Sequence, residues 1–126
     1  FMTADSEIIN EVNKVRLPFN LNSLSQTIAV EALKNKKLIQ ANIKATISER
    51  ERLFSSMKKI RGITPYPSDA NFILFRTANP DKLYKALLKK GILVRNMRGV
   101  INGCLRVTVG APRENTVFLR ILKDNL

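Results

Sequence analysis

The apolar residues of this chain change their period at Arg61-Gly62. Upstream they return every three to four positions, as Ile39, Ile43, Ile47, Leu53, Met57 and Ile60, which is the spacing of one face of a helix. Downstream they alternate with polar residues, as Leu105, Val107 and Val109 do around Arg106 and Thr108. Such a chain buries its stripes by laying helices on a small sheet, so the predicted fold class is α+β. The 126 residues are 44% hydrophobic and 25% charged, enough for one compact unit with a real core.

Local signals set the expected order of elements. Asp5 or Ser6 caps a first helix with Glu7 in its first turn and Ile8, Val12 and Val15 on one face. Pro18 stops it, and Arg16 to Asn22 reads as an extended connector. Ser23 followed by Gln26 has capping-box spacing, and Leu24, Ile28 and Leu33 supply the stripe of a second helix. After a basic break at Asn35-Lys36-Lys37, a long one-sided helix runs to Arg61-Gly62; the charges Glu49, Arg50, Glu51 and Arg52 read as an exposed or bridging face. Ile63 to Pro67 and Asn71 to Arg76 are expected as neighbouring strands, then a helix capped by Asn79-Pro80 and ending at Gly91. Strands over 92–95 and 104–109 flank a loop over 99–103, and a last helix over 112–124 turns Val117, Phe118, Ile121 and Leu122 inward. The prediction is therefore long helices followed by β-β-α-β-β-α.

Several chemistries are excluded by composition. Cys104 stands alone and there is no histidine, so neither an internal disulfide, nor the common zinc ligand sets, nor a Ser-His or Cys-His nucleophile pair can be assembled; no metal site is expected. No apolar run approaches the roughly 20 residues of a membrane span. The first seven residues lack the basic start and apolar centre of a secretory signal, so a cytoplasmic location is expected. Lys and Arg outnumber acids 22 to 10, a net charge of +12 with a pI near 10.4. That balance attracts polyanions, acidic lipids or small anionic substrates alike. Without Trp, and with Phe and Tyr mostly in apolar runs, solvated helix faces and ends account for it more simply than a nucleic-acid patch.

Alternation sends Leu105, Val107 and Val109 to the core and Cys104, Arg106 and Thr108 to the opposite face. Arg95 ends its strand and opens a glycine-containing loop. Two guanidinium groups are thus offered from strand positions, and the planar fork of arginine suits bidentate recognition of carboxylate or phosphate. On pattern alone, two surface arginines are the simpler reading. No Walker loop, Rossmann fingerprint or carboxylate pair beside a nucleophile is present, so no complete active site is written here.

Five stretches in order carry a resemblance: Val15 to Leu24 with its Leu17-Pro18-Phe19-Asn20-Leu21-Asn22 core, Glu49 to Leu53, Pro67 to Phe72, Gly91 to Arg95, and Gly103 to Gly110. Together they resemble the C-terminal part of the histidinol-phosphate aminotransferases, fold-type I enzymes dependent on pyridoxal 5'-phosphate. The last stretch, Leu105-Arg106-Val107-Thr108-Val109-Gly110, recurs across related aminotransferases; the ordered set is the specific signal.

The resemblance implies the small domain of such an enzyme at 38–126, with residues 1–37 as a helix, connector and helix leading to an absent large domain. It implies amino transfer between histidinol phosphate and 2-oxoglutarate, with glutamate on the other side of the exchange, in histidine biosynthesis and in a homodimer. The lysine that bonds the cofactor lies upstream in the family. No catalytic residue is therefore expected in this chain, which alone neither holds the cofactor nor transaminates. By motif, Arg106 resembles the arginine that holds the substrate's acid group, Arg95 a second anion-binding arginine, and Asn71 a weaker candidate for shaping the pocket. Cys104 is expected as a small buried residue. The other readings open at this point are a different fold-type I aminotransferase, a threonine-phosphate decarboxylase and a basic nucleic-acid-binding module. Without its large domain the chain is expected to expose apolar surface and self-associate.

Overall fold

A computed structural model describes residues 2–17 and 21–126. The chain divides into two compact units, residues 1–39 and 40–126. Of the expected connector, Pro18, Phe19 and Asn20 lie outside the described residues.

The first unit contains α1 (Ser6–Val15), α2 (Ser23–Lys34) and the start of α3 (Lys36–Lys58). Asp5 caps α1, its side chain accepting from the Glu7 amide at 3.0 Å. The cap of α2 falls one residue earlier than the sequence predicts. Asn22 Oδ1 accepts from the Ser25 amide at 2.8 Å, and Gln26 donates its side-chain amide to the Leu21 carbonyl instead of closing a box on Ser23. The Asn22 side chain reaches the same orphan donors as a serine would, so Ser23 becomes the first helical residue. Neither α1 nor α2 contains a buried residue: Ile8, Val12 and Val15, and likewise Leu24, Ile28 and Leu33, are exposed.

In the second unit, α3 ends before Gly62, and β1 (Ile63–Pro65), β2 (Phe72–Thr77), α4 (Pro80–Lys89), β3 (Arg95–Asn96), β4 (Cys104–Thr108) and α5 (Pro112–Asp124) follow. The four strands form one antiparallel sheet in the order β1-β2-β4-β3. With its helices, this is the α+β arrangement read from the sequence. Among the described residues no helix is long and apolar enough to cross a membrane.

One face of the sheet makes the core. Ile63, Ile73, Phe75, Leu105 and Val107 lie on it and join Leu53 and Met57 of α3, Leu83 and Leu87 of α4, and Phe118, Leu119 and Leu122 of α5. Phe75 meets Phe118 edge to face, 6.3 Å between ring centres. Each large side chain removed from water there contributes about 1.5–3 kcal/mol. The α3 stripe divides accordingly: Leu53, Met57 and Ile60 are buried, whereas Ile39, Ile43 and Ile47 are exposed.

Two expectations need correction. The strand predicted over 92–95 pairs only at Arg95–Asn96; ahead of it Val94 is buried in the core and Leu93 is exposed, and neither joins the ladder. In α5, Val117 is 38% exposed, and Asn115 and Leu119 take inward positions beside Phe118 and Leu122. The Glu49–Arg52 segment, expected as an exposed or bridging face, bridges two helices. Arg52 grips Glu49 through two hydrogen bonds of 2.9 and 2.8 Å, and Asn115 donates to Glu49 at 2.8 Å, tying α3 to α5.

Gly62 makes the turn from α3 into β1 at φ 85°, the left-handed region. A Cβ added there meets nothing within 4 Å, so only backbone strain opposes a side chain. Gly62→Ala is expected to lower stability by about 1–2 kcal/mol, and Gly62→Asn by less, since asparagine tolerates this conformation. The check is a shift of the urea midpoint at constant slope; equal midpoints for Gly and Ala would contradict it.

Candidate functional site

The register of β4 against its two neighbours builds the candidate site. On the face away from the core, Phe72 lies opposite Thr108, Leu74 opposite Arg106, and Arg95 opposite Arg106 on the other side. Directly paired residues on neighbouring antiparallel strands project to the same face with Cβ atoms about 4.5–5.5 Å apart. Arg95 and Arg106, offered by separate sequence motifs, are therefore immediate neighbours pointing the same way.

Like charges placed opposite each other across a ladder are destabilising, and a structural pairing brings in a carboxylate to relieve them. None is used here. Among the described residues, neither guanidinium makes an ion pair or a hydrogen bond. Instead the Arg106 guanidinium lies over the Phe72 ring, 4.6 Å from its centre. The two arginines share a cavity of about 470 Å³ with Tyr84, Leu93, Asn96 and Thr108, and no acidic side chain lines it. Its volume lies in the range of small-molecule sites. Two forks with free donors, one wall aromatic and none acidic, are suited to a small carboxylate or phosphate.

Arg95 is held although its strand has only two residues. The Asn96 side chain turns to the other face and donates to Asp81 Oδ1 at 2.7 Å, and Asn96 Oδ1 accepts from the Arg98 amide at 3.0 Å. Asp81 sits in the first turn of α4, so the helix anchors the edge strand. The Met97 amide continues the ladder to the Cys104 carbonyl at 3.2 Å.

Asn71 is not brought into this cavity. It precedes β2 by one residue, is exposed, and its carbonyl accepts from the Val109 amide at 2.8 Å, closing the end of the β2–β4 ladder. Cys104 is 1% exposed. A third arginine, Arg76, lies opposite Cys104 on this face, its Nε donating to the Tyr66 hydroxyl at 3.1 Å. That bond, ahead of the charge of the Tyr66 oxygen, holds the guanidinium above the usual arginine range. Sequence reasoning missed Phe72 and Tyr84 as neighbours of the arginine pair, and Arg76 as a further arginine on the same face. For Phe72 and Arg76 the signal was available: both share the strand parity of Leu74, which faces Arg106.

A family model described as aminotransferase class I and II matches residues 1–122. The chain belongs to that family. It is 46% identical over 125 residues to the histidinol-phosphate aminotransferase of Aquifex aeolicus, across 95% of this chain and 35% of that protein. With the histidinol-phosphate aminotransferase of Parabacteroides distasonis the identity is 41% over 128 residues, covering 96% and 36%. The crystal structure of histidinol-phosphate aminotransferase from Clostridium acetobutylicum superposes with a TM-score of 0.82 at 30% identity, over 95% of this chain and 38% of that one. The chain thus spans about a third of the length of the curated relatives it matches.

The cofactor implied by the resemblance, pyridoxal 5'-phosphate, does not fit the residues described here. A lysine that takes up a carbonyl cofactor needs a desolvated or charge-tuned seat, and every described lysine is exposed. Lys59, Lys82 and Lys123 rim a second cavity of about 610 Å³, but its wall has no aromatic ring to stack on the cofactor and no acidic side chain for its ring nitrogen.

Proposed function

We propose that this chain is the C-terminal, small-domain part of a pyridoxal-phosphate-dependent histidinol-phosphate aminotransferase, and that Arg95 and Arg106 hold the anionic groups of its substrates. Residues 38–126 act as the small domain, and residues 1–37 lead to the large one. Both proposed substrates, histidinol phosphate and the 2-oxoglutarate/glutamate pair, are anions of a size the cavity accepts. The observation that carries the anion-binding role is the direct pairing of Arg95 with Arg106 with no acid between them. A bound phosphate or carboxylate supplies the missing counter-charge and accepts from both forks, so substrate binding relieves a repulsion built into the sheet. Asn71 contributes through its carbonyl, which fixes the end of the strand that carries Arg106 and Thr108. The cofactor's electron-sink chemistry is placed in the part of the enzyme outside this chain. What this domain supplies is grip and orientation, and exclusion of water when the domains close.

The test is an amino-donor panel run on this chain joined to the upstream part that its relatives carry. Turnover of histidinol phosphate with 2-oxoglutarate, together with inactivity of residues 1–126 alone, is the expected result. Preference for an aromatic amino acid, or release of carbon dioxide from threonine phosphate, would replace this reading with another activity of the same fold.

A further inference from the structure

Arg106 has to satisfy two demands that conflict. Its fork must be held in place, yet its N–H groups must stay available for a ligand. A carboxylate neighbour would hold it but cancel its charge, and an amide or carbonyl neighbour would consume donors. An aromatic face attracts a guanidinium through the ring quadrupole without taking any N–H. Phe72 stands in that relation to Arg106, with the guanidinium carbon 4.6 Å from the ring centre. Its ring is not part of the buried core cluster, and it lies half-buried on the opposite face of the sheet. Core packing therefore does not explain it. The arrangement is also directional: Arg95 on β3 repels Arg106 from one side while Phe72 on β2 attracts it from the other, so both forces move the fork toward β2.

We propose that Phe72 is a positioning residue, holding the Arg106 guanidinium flat over its ring so that the full donor edge faces the substrate's acid group. This rests on the anion-binding reading of Arg106 given above. The experiment uses the complete enzyme, with KM and kcat measured for histidinol phosphate and for 2-oxoglutarate in Phe72→Leu, Phe72→Tyr, Arg106→Ala and the double variant Phe72→Leu/Arg106→Ala. Phe72→Leu is expected to raise the KM of the substrate that Arg106→Ala affects by about 3- to 20-fold, with kcat changed less than about 2-fold. Phe72→Tyr, which keeps the ring, stays within about 2-fold of the parent. In the Arg106→Ala background, Phe72→Leu adds nothing. If Arg106→Ala raises a KM and Phe72→Leu does not, or if Phe72→Leu raises it equally with and without Arg106, the positioning role is wrong while the anion site stands. If Arg106→Ala moves neither KM, both readings fall. Melting temperatures accompany each variant, and Phe72→Met takes the place of Phe72→Leu should the latter not fold.

Discussion

Arg106→Ala in the complete enzyme is expected to raise the KM for the acid-bearing substrate about 10- to 100-fold while leaving the melting temperature nearly unchanged. The magnitude follows from the bond type. A hydrogen bond to a charged partner contributes about 1.5–3 kcal/mol net, and each 1.4 kcal/mol is tenfold in affinity. The unusual part is the second half of the expectation. Truncating a half-buried arginine ordinarily removes packing or a salt bridge, but Arg106 has no acid partner and faces Arg95 directly. Removing it abolishes a like-charge pair across the ladder, a gain of a few tenths of a kcal/mol that offsets the lost stacking on Phe72 of similar size. Arg106→Lys separates charge from geometry: the ammonium keeps the charge but not the planar fork, so its KM is expected between parent and Ala. Cofactor binding, followed by the cofactor's absorbance, is expected to change less than about 2-fold, since Arg106 is proposed to hold the substrate's acid group. An unaltered KM in Arg106→Ala removes the residue from the site, whereas a large loss of stability assigns it to the scaffold.

Much of the scaffold was legible because its determinants are local. The period change at Gly62, the Asn79-Pro80 start of α4 and the Pro112 start of α5 each act within one turn of chain, and each falls where the sequence places it. Strand parity likewise placed Arg106 and Thr108 away from the core. Legibility ended where two distant segments decide the outcome together. That Arg95 lands opposite Arg106, rather than one pair along, is a property of the β3–β4 register, and β3 is held in that register by Asp81 of α4 through Asn96. The same limit explains why Glu49 to Arg52 read as an exposed or bridging face with no partner named. Their spacing is that of any exposed helical ion pair, and the partner that Glu49 meets, Asn115, lies 66 residues away. Asn115 itself looks like an ordinary first-turn polar residue. Nothing in its neighbourhood of sequence announces that it is 2% exposed.

That buried amide carries a large stability effect of its own. Asn115 Nδ2 donates to Glu49 Oε2 at 2.8 Å and to the Gly110 carbonyl at 2.9 Å, while its Oδ1 accepts from the Gly110 amide at 3.0 Å. Only this orientation of the amide satisfies all three partners, because two are acceptors and one is a donor. It fastens the β4–α5 turn to α3, and Arg52 completes the tie by donating to Glu49 and to the Pro112 carbonyl. Asn115→Leu keeps the volume but strands the Gly110 amide and carbonyl and removes a donor from a carboxylate that is 13% exposed. The expected loss is about 2–4 kcal/mol, or roughly 10–20 °C in melting temperature for a unit of this size. A second measurement follows from Glu49. The Arg52 hydrogen bonds first, and the Asn115 amide second, hold its carboxyl below the usual carboxylate range. A lowered folded value means that the stabilisation is complete above about pH 5, where the unfolded carboxyl is already ionised, and is lost as the pH falls through the folded value. Glu49→Gln therefore flattens the acid side of the stability profile, and Asn115→Leu flattens it in part. Parallel acid profiles for parent and Glu49→Gln, or a neutral Asn115→Leu, would mean that α3 and α5 are joined by their apolar contacts alone.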